Sequence, residues 1–406
     1  MSLYSDASLI VYPSGYKESK IYAQKPVDGS GDLTFTRAST ATRVNESGLI
    51  ESVATNIPRI DYTGGGCGSL LLEPQRTNTV LSNSDYTASW TLVNVIPTAN
   101  ATTSPNGNND AQKLTSANTF GQHYIRQIIG GHTVGAPHVF SCFAKAAELD
   151  ILSLRVVNGG GPTYVNFDLT NGTHDGGANG KMIGLGDGWY RCISYHASST
   201  NATLYPYIYT QTGNTQGDGV SGFYVYGAMI EEGSYETSLI NTSGTTVTRV
   251  GENSSSGVLP TIINDFTFFV DFVRYGQYAN SGVYNFAVKN STNTDIISIY
   301  KPSSVGNLNV AYKIGGVTTV ANIGASVGNF VHHKIAFVCS GTTVKVFKDG
   351  ALVDTKTGFL NSDLLTDIHL RTESVSATNE YGSKFQSIQF YLSALTDTEL
   401  ETLTTL

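Results

Sequence analysis

Apolar and polar residues alternate at every second position in one short segment after another of this chain. That period belongs to strands with one face in a core. Residues 123–129, 138–144, 151–157, 164–169, 189–195, 202–209 and 222–230 carry it, with Gly and Asn between the runs. A second series covers 266–273, 283–288, 296–300, 309–314 and 333–338. It ends in a hairpin of 344–347 with 351–354, where Gly in the Lys348-Asp349-Gly350 turn supplies a positive φ. Short strands at close spacing predict antiparallel sandwiches. Pro206 inside a strand points to an edge or a bulge. Helix is nearly absent. Its one good candidate is 396–403, where Thr396 and Glu399 make a capping box and Leu400 and Leu403 form the packing face. The expected fold class is therefore all-β: a small N-terminal region, two antiparallel β-sandwich (jelly-roll) domains and a short C-terminal helix.

Composition removes other classes. Of 406 residues, 14 % are charged, against about 25 % in an ordinary soluble protein. Ala-, Glu- and Lys-rich coiled coils are thereby excluded. With 23 Tyr and 17 Phe the chain has the aromatic content that a disordered one lacks. No stretch approaches the ~18 apolar residues of a membrane span, and residues 1–6 do not open a signal peptide. The net charge is −8 with Lys and Arg scattered singly, so neither nucleic acid nor membrane insertion is expected. Cys67, Cys142, Cys192 and Cys339 have no zinc-type spacing, and three of them sit in apolar runs as small core residues. A Cys142–Cys192 bridge stays open as an alternative.

Three textures divide the chain into 1–75, 76–245 and 246–406. The first is polar and too thin in apolar residues to bury a core alone, so it is expected to pack on a neighbour or another chain. A Ser/Thr/Gly stretch at 241–246 reads as a linker. Within the middle region, alternation sends Tyr205, Tyr207 and Tyr209 to one face of a strand and Leu204, Pro206 and Ile208 to the other. Tyr224 and Tyr226 repeat the pattern opposite Phe223 and Val225. Tyrosines on an open face can stack on sugar C–H surfaces and hydrogen-bond through their hydroxyls; the competing reading is a core or a subunit interface. Trp189 heads a strand and reads as a core plug, while Trp90, in a polar loop, is a further binding candidate. Asp168, Asp175, Asp187, Glu231 and Glu232 show no spacing that marks a glycosidase pair. The eight histidines form no metal or catalytic motif. No cofactor is expected; Asp175-Gly176-Gly177 and Asp187-Gly188 leave structural calcium open, with no ligand set singled out.

Residues 31–45 (Gly-Asp-Leu-Thr-Phe-Thr-Arg-Ala-Ser-Thr-Ala-Thr-Arg-Val-Asn), 48–51, 56–62, Cys67 and 69–78 (Ser-Leu-Leu-Leu-Glu-Pro-Gln-Arg-Thr-Asn) stand in the order found in a family of bacteriophage virion proteins, which this chain resembles. That resemblance implies a tail- or head-fibre protein. Ser89-Trp90-Thr91, Gly188–Cys192 and Tyr226–Gly233 resemble carbohydrate-binding-module-like jelly rolls. Residues 333–337, Asp349-Gly350 and 393–400 are similar to laminin-G or concanavalin-like sandwiches.

The resemblance implies residues 1–75 as a virion-attachment region contacting other virion proteins. It also implies a homo-oligomer, a trimer for fibres of this kind, and a product made in the bacterial host cytoplasm and carried on the virion. The expected function is non-enzymatic adhesion to host-surface polysaccharide through Tyr205, Tyr207, Tyr209, Tyr224, Tyr226 and Trp90. Two alternatives stand beside it: a purely structural capsid or tail protein, and a glycan depolymerase.

Overall fold

A computed structural model describes residues 3–160, 164–256, 259, 265–275, 286–290, 296–300, 309–314, 317–322, 331–357, 365–370 and 382–406. Expected strand residues 283–285 and turn residues Gly161-Pro162 lie outside them. The chain is all-β, with antiparallel pairing throughout the described ladders and a short C-terminal helix. No helix among the described residues is long and apolar enough to cross a membrane.

Two compact units divide the chain, one of Met1–Thr40, Val53–Gln75 and Val250–Leu406, the other of Ala41–Ser52 and Arg76–Arg249. Residues 1–75 therefore do not stand apart as one body. Outside 41–53, where Ala41–Val44 and Ile50–Val53 form a two-stranded sheet of their own, their strands complete the sheets of the unit that holds 250–406. Leu9–Val11 and Ser69–Leu72 both pair with Gly382–Tyr391. Leu33–Thr36 pairs with Asn253–Ser256. The physical reason is the one visible in composition: Leu9, Val11, Leu33, Phe35, Leu70 and Leu72 are too few to make a core, and they bury instead against Phe266, Phe268, Phe337 and Phe390.

Charge reinforces this assembly. The Glu252 carboxylate is fully buried and receives Arg37 Nη1 at 2.9 Å and Arg59 Nε at 2.6 Å. Arg59 also bridges to Glu73 at 2.9 Å, and the Glu73 amide donates to Glu252 Oε2 at 2.8 Å. The Arg37 guanidinium spends its remaining donors on the Ser39, Val53, Ala54 and Ile57 carbonyls. Exposed pairs such as Lys345–Asp397 are worth about 0–1 kcal/mol, whereas removing one partner from a buried set costs about 3–5 kcal/mol. On the other face of the sheet that contains Gly382–Tyr391, Leu400 and Leu403 seat the helix Asp397–Thr404, opened by the Thr396/Glu399 capping box. Asp349 and Gly350 take φ of 51° and 86°, the two left-handed positions of a type I′ hairpin.

The second unit is a sandwich of two six-stranded sheets. One runs in the order Thr91–Val93, Phe120–Arg126, Tyr205–Gln216, Ile151–Val157, Val165–Asp168, Thr173–His174. The other runs Val95–Thr102, Ala111–Ser116, Gly222–Glu232, His138–Lys145, Trp189–His196, Gly180–Gly186. Ile125, Leu154, Phe167 and Ile208 from the first meet Phe140, Cys142, Phe223 and Ile230 from the second. Cys142 and Cys192 are direct cross-strand neighbours and both are free thiols. Pro206 is not on an edge: its strand is central, and the missing N–H falls just where the ladder to Phe120–Arg126 ends, at Arg126↔Tyr207. Nor is 241–246 a linker. Thr242 is buried, exchanges hydrogen bonds with Asn83, and Ser243 bridges to Ser82.

Removing the Glu252 carboxylate leaves two buried guanidinium groups without their shared partner. Glu252→Ala is expected to destabilise the first unit by about 3–5 kcal/mol. Calorimetry should show a melting transition lower by about 10 °C, with the second unit's transition unmoved.

Candidate functional site

Leu204 and Ile208 are fully buried in the sandwich core, and Pro206 is buried between them. Tyr205, Tyr207 and Tyr209 therefore lie together on the outer face of their sheet, as alternation predicts. Neighbouring strands bring up residues of the same parity. Tyr207 stands opposite Arg126 on one side and Arg155 on the other, and Tyr209 stands between Tyr124 and Ser153. Arg126 Nη1 donates to the Tyr207 hydroxyl at 2.9 Å. The guanidinium carbons of Arg126 and Arg155 lie 5.7 and 5.9 Å from the Tyr207 ring centre, within cation–π range. Arg155 also covers the Tyr164 ring at 5.4 Å, and Arg126 the Tyr205 ring at 5.9 Å.

The rings pack on one another as well. Tyr207 and Tyr209 are stacked, with centres 5.5 Å apart and planes 17° apart. Tyr124 and Tyr164 meet Tyr209 at 5.2 and 5.1 Å. Tyr209 is consequently only 2 % exposed and forms the floor, while Tyr205, Tyr207, Tyr124 and Tyr164 remain partly open. Burial pushes the Tyr209 phenol up to about 12, with Arg155 acting against it. The Tyr207 hydrogen bond raises Arg126 above its already high value. Among the described residues neither arginine pairs with a carboxylate. The result is an aromatic cluster whose rings meet at 17° to 79°, flanked by two permanent cations, a surface that offers ring and guanidinium contacts to a sugar and to an anionic or hydroxylated substituent.

The other expected site residues lie elsewhere. Tyr224 and Tyr226 belong to the opposite sheet and point away from its core face. Tyr226 is 5 % exposed in a cluster with Ile50, Phe143, Trp189 and Leu239, and its hydroxyl accepts from Asn106. Alternation fixes parity within a strand; it does not say which sheet the strand joins. Trp90 is also a correction. It is 7 % exposed, packs on Tyr86 at 5.4 Å and donates its indole N–H to the Ser82 carbonyl, so it plugs the core. Trp189 is buried too, but not in the sandwich core: it lies beside Phe143 on the outer face of its sheet and donates its indole N–H to the Thr103 carbonyl.

The acidic candidates are held locally. Asp168 caps the Thr170 and Asn171 amides, Asp175 takes two hydrogen bonds from Asn166, Asp187 pairs with Lys145, and Glu231 is buried against Thr237. Glu232 differs, because it lies beside two histidines. Strand pairing sets His196, His138 and Glu232 in a row across three strands, and His132 comes from the loop before His138. No motif announced this group: the six-residue His132–His138 spacing is unremarkable, and Glu232 arrives only through the sheet register.

The chain matches no protein-family model and no curated protein. Among solved structures it is similar to a native heptameric SAP-like pentraxin from Limulus polyphemus, at 15 % identity over 36 % of this chain and 72 % of that one, with a TM-score of 0.29. The CBM40 of Ruminococcus gnavus IT-sialidase, bound to α2,3-sialyllactose, gives 18 %, 35 %, 84 % and 0.27 for the same quantities. Domain 4 of AbnA, a GH43 extracellular arabinanase from Geobacillus stearothermophilus in complex with arabinotriose, gives 14 %, 38 %, 73 % and 0.31. Likeness at this level assigns the chain to no family.

Burial pushes the imidazoles of His132 and His196 down from 6.5 to about 4, and lowers His138 too. The unfolded chain therefore binds protons in that interval that the folded sandwich does not. Stability is expected to fall as pH is lowered from about 6.5 to about 4. Denaturant titrations across that range should show the slope, and His196→Gln should reduce it.

Proposed function

We propose that this protein is a non-enzymatic bacteriophage virion component of the tail- or head-fibre type, and that its inserted sandwich adheres to host-surface glycans. The observation that carries the adhesive part is the Arg126–Tyr207–Arg155 row on an open sheet face, floored by Tyr209. Two cations without carboxylate partners favour glycans with an acidic substituent. Weak single-site binding suits a particle that displays many copies, since linked sites raise the effective concentration of each next contact. A trimer and the virion location rest on the resemblance of residues 31–78 to phage structural proteins.

The leading residues bury their signature side chains: Arg37, Arg59 and Glu73 are all engaged around Glu252. That packing supports a reading in which residues 1–75 contact other virion proteins as part of the folded first unit.

A glycan array, followed by titration of the retained ligand, tests the adhesive reading. The wild type should hold acidic polysaccharide, and Tyr207→Ala should weaken it by about 10-fold or more, the size of a central hot-spot loss of about 1.4 kcal/mol or above. Tyr224→Ala, on the opposite sheet, should leave it unchanged. Undiminished binding by Tyr207→Ala would move the site off this face, and release of sugar fragments from the polysaccharide would make the protein an enzyme.

A further inference from the structure

At the loop that follows strand Phe120–Arg126, His132, His138 and Glu232 converge so that one ligand atom from each lies within 4.8 Å of the others. His138 Nε2 is 3.0 Å from His132 Nδ1 and 3.9 Å from Glu232 Oε2. Zinc with ligands at about 2.0–2.2 Å holds them about 3.4 Å apart in a tetrahedron, so these separations bracket what such an ion needs.

The outer contacts of the two imidazoles are arranged for the same purpose. His138 Nδ1 lies 3.0 Å from the Ala136 carbonyl, which can only accept. Its proton is thereby fixed on Nδ1, and the Nε2 lone pair faces the cluster. Without a metal, His132 must donate from Nδ1 to that lone pair. On the far side of the His132 ring, Nε2 faces the Thr79 hydroxyl at 3.4 Å, and that hydroxyl donates to the Ile230 carbonyl at 3.2 Å. A single tautomer shift, Nδ1–H to Nε2–H, therefore frees His132 Nδ1 as a second ligand and leaves every remaining N–H with an acceptor. A ring N–H anchored on a backbone carbonyl is a usual support of metal-binding histidines, and the Thr79 hydroxyl gives the second ring an equivalent acceptor. The Glu232 side chain is 41 % exposed, which gives an ion a path in and leaves a fourth position open to solvent.

We propose that His132 Nδ1, His138 Nε2 and Glu232 bind one transition-metal ion of the zinc class, clamping the Gly130–Pro137 loop onto the ends of strands His138–Lys145 and Gly222–Glu232. Nitrogen donors disfavour calcium and magnesium here.

The test uses the untagged full chain, stripped with chelator and titrated with zinc chloride alone by calorimetry, with metal counted by mass spectrometry. One zinc per chain and a rise in the melting temperature of the second unit are expected. Glu232→Gln, at the accessible rim, and His132→Gln, in the loop, should each weaken binding by more than about 100-fold, beyond the 10–100-fold typical of an outer contact, and Thr79→Val by about 10-fold. Circular dichroism of each variant checks that it folds. His138→Gln is a supporting variant only, since His138 is 1 % exposed. Substoichiometric zinc, affinity unchanged in Glu232→Gln and His132→Gln, or loss of binding on substituting the exposed Cys67 would each overturn the assignment.

Discussion

The Glu252 carboxylate, shared between Arg37 and Arg59 inside a closed core, is the interaction on which the first unit depends. Three stretches far apart in sequence meet there, and each contributes a charge that would be prohibitively placed without the other two. Taking such ions out of water costs several kcal/mol apiece, and only complete hydrogen bonding repays it. A hydrophobic replacement of equal volume could be as stable; the ionic set adds selectivity, because one register of the leading strands satisfies every charge and a slip of one residue satisfies none. Arg37, Arg59 and Glu73 come from the leading segments and Glu252 from beyond the second unit. Their chemistry is that of a lock within the fold.

The second unit solves a different problem. A two-layer sandwich has two outer faces, and here they are used unequally. One is covered by its own chain, with Ile50, Leu239 and the indole of Trp189 laid over Phe143 and Tyr226. The other is left open and carries rings and guanidinium groups in place of aliphatic side chains. Tyr207 stacks on one face of Tyr209 while Tyr124 and Tyr164 close around it, so Tyr209 is almost inaccessible while the surface around it remains aromatic. That arrangement holds the arginines over ring faces with few rotamers left to lose, which lowers the ordering cost of any ligand they meet.

Much of this was legible in the sequence. Alternation located the strands, the capping box located the helix, and Asp349-Gly350 located a hairpin. The Tyr205–Tyr207–Tyr209 face followed from parity alone. What could not be read was adjacency. Arg126 and Arg155 have the right parity in their own strands, but only sheet order places them on either side of Tyr207. The same gap put Tyr224 and Tyr226 with the wrong partners and hid the His132–His138–Glu232 group. Trp90 misled because a polar neighbourhood in sequence says little about depth when the indole N–H can reach a carbonyl. Residues 1–75 looked like an appendage because their few apolar side chains serve a core built mostly by residues beyond 250.

Arg76–Asn78 pairs with Val247–Arg249, so the chain enters and leaves its main excursion through the second unit at adjacent points. Such a doorway has a temporal meaning during synthesis. At about 5–20 residues per second, the ribosome needs roughly 10–30 s to deliver Arg76–Arg249, and the enclosed sandwich can close in that interval. The opening strands, with Arg37 and Arg59 still lacking Glu252, must wait until it emerges. A chain built this way finishes its middle before its beginning, and its earliest residues are the ones a chaperone would have to guard.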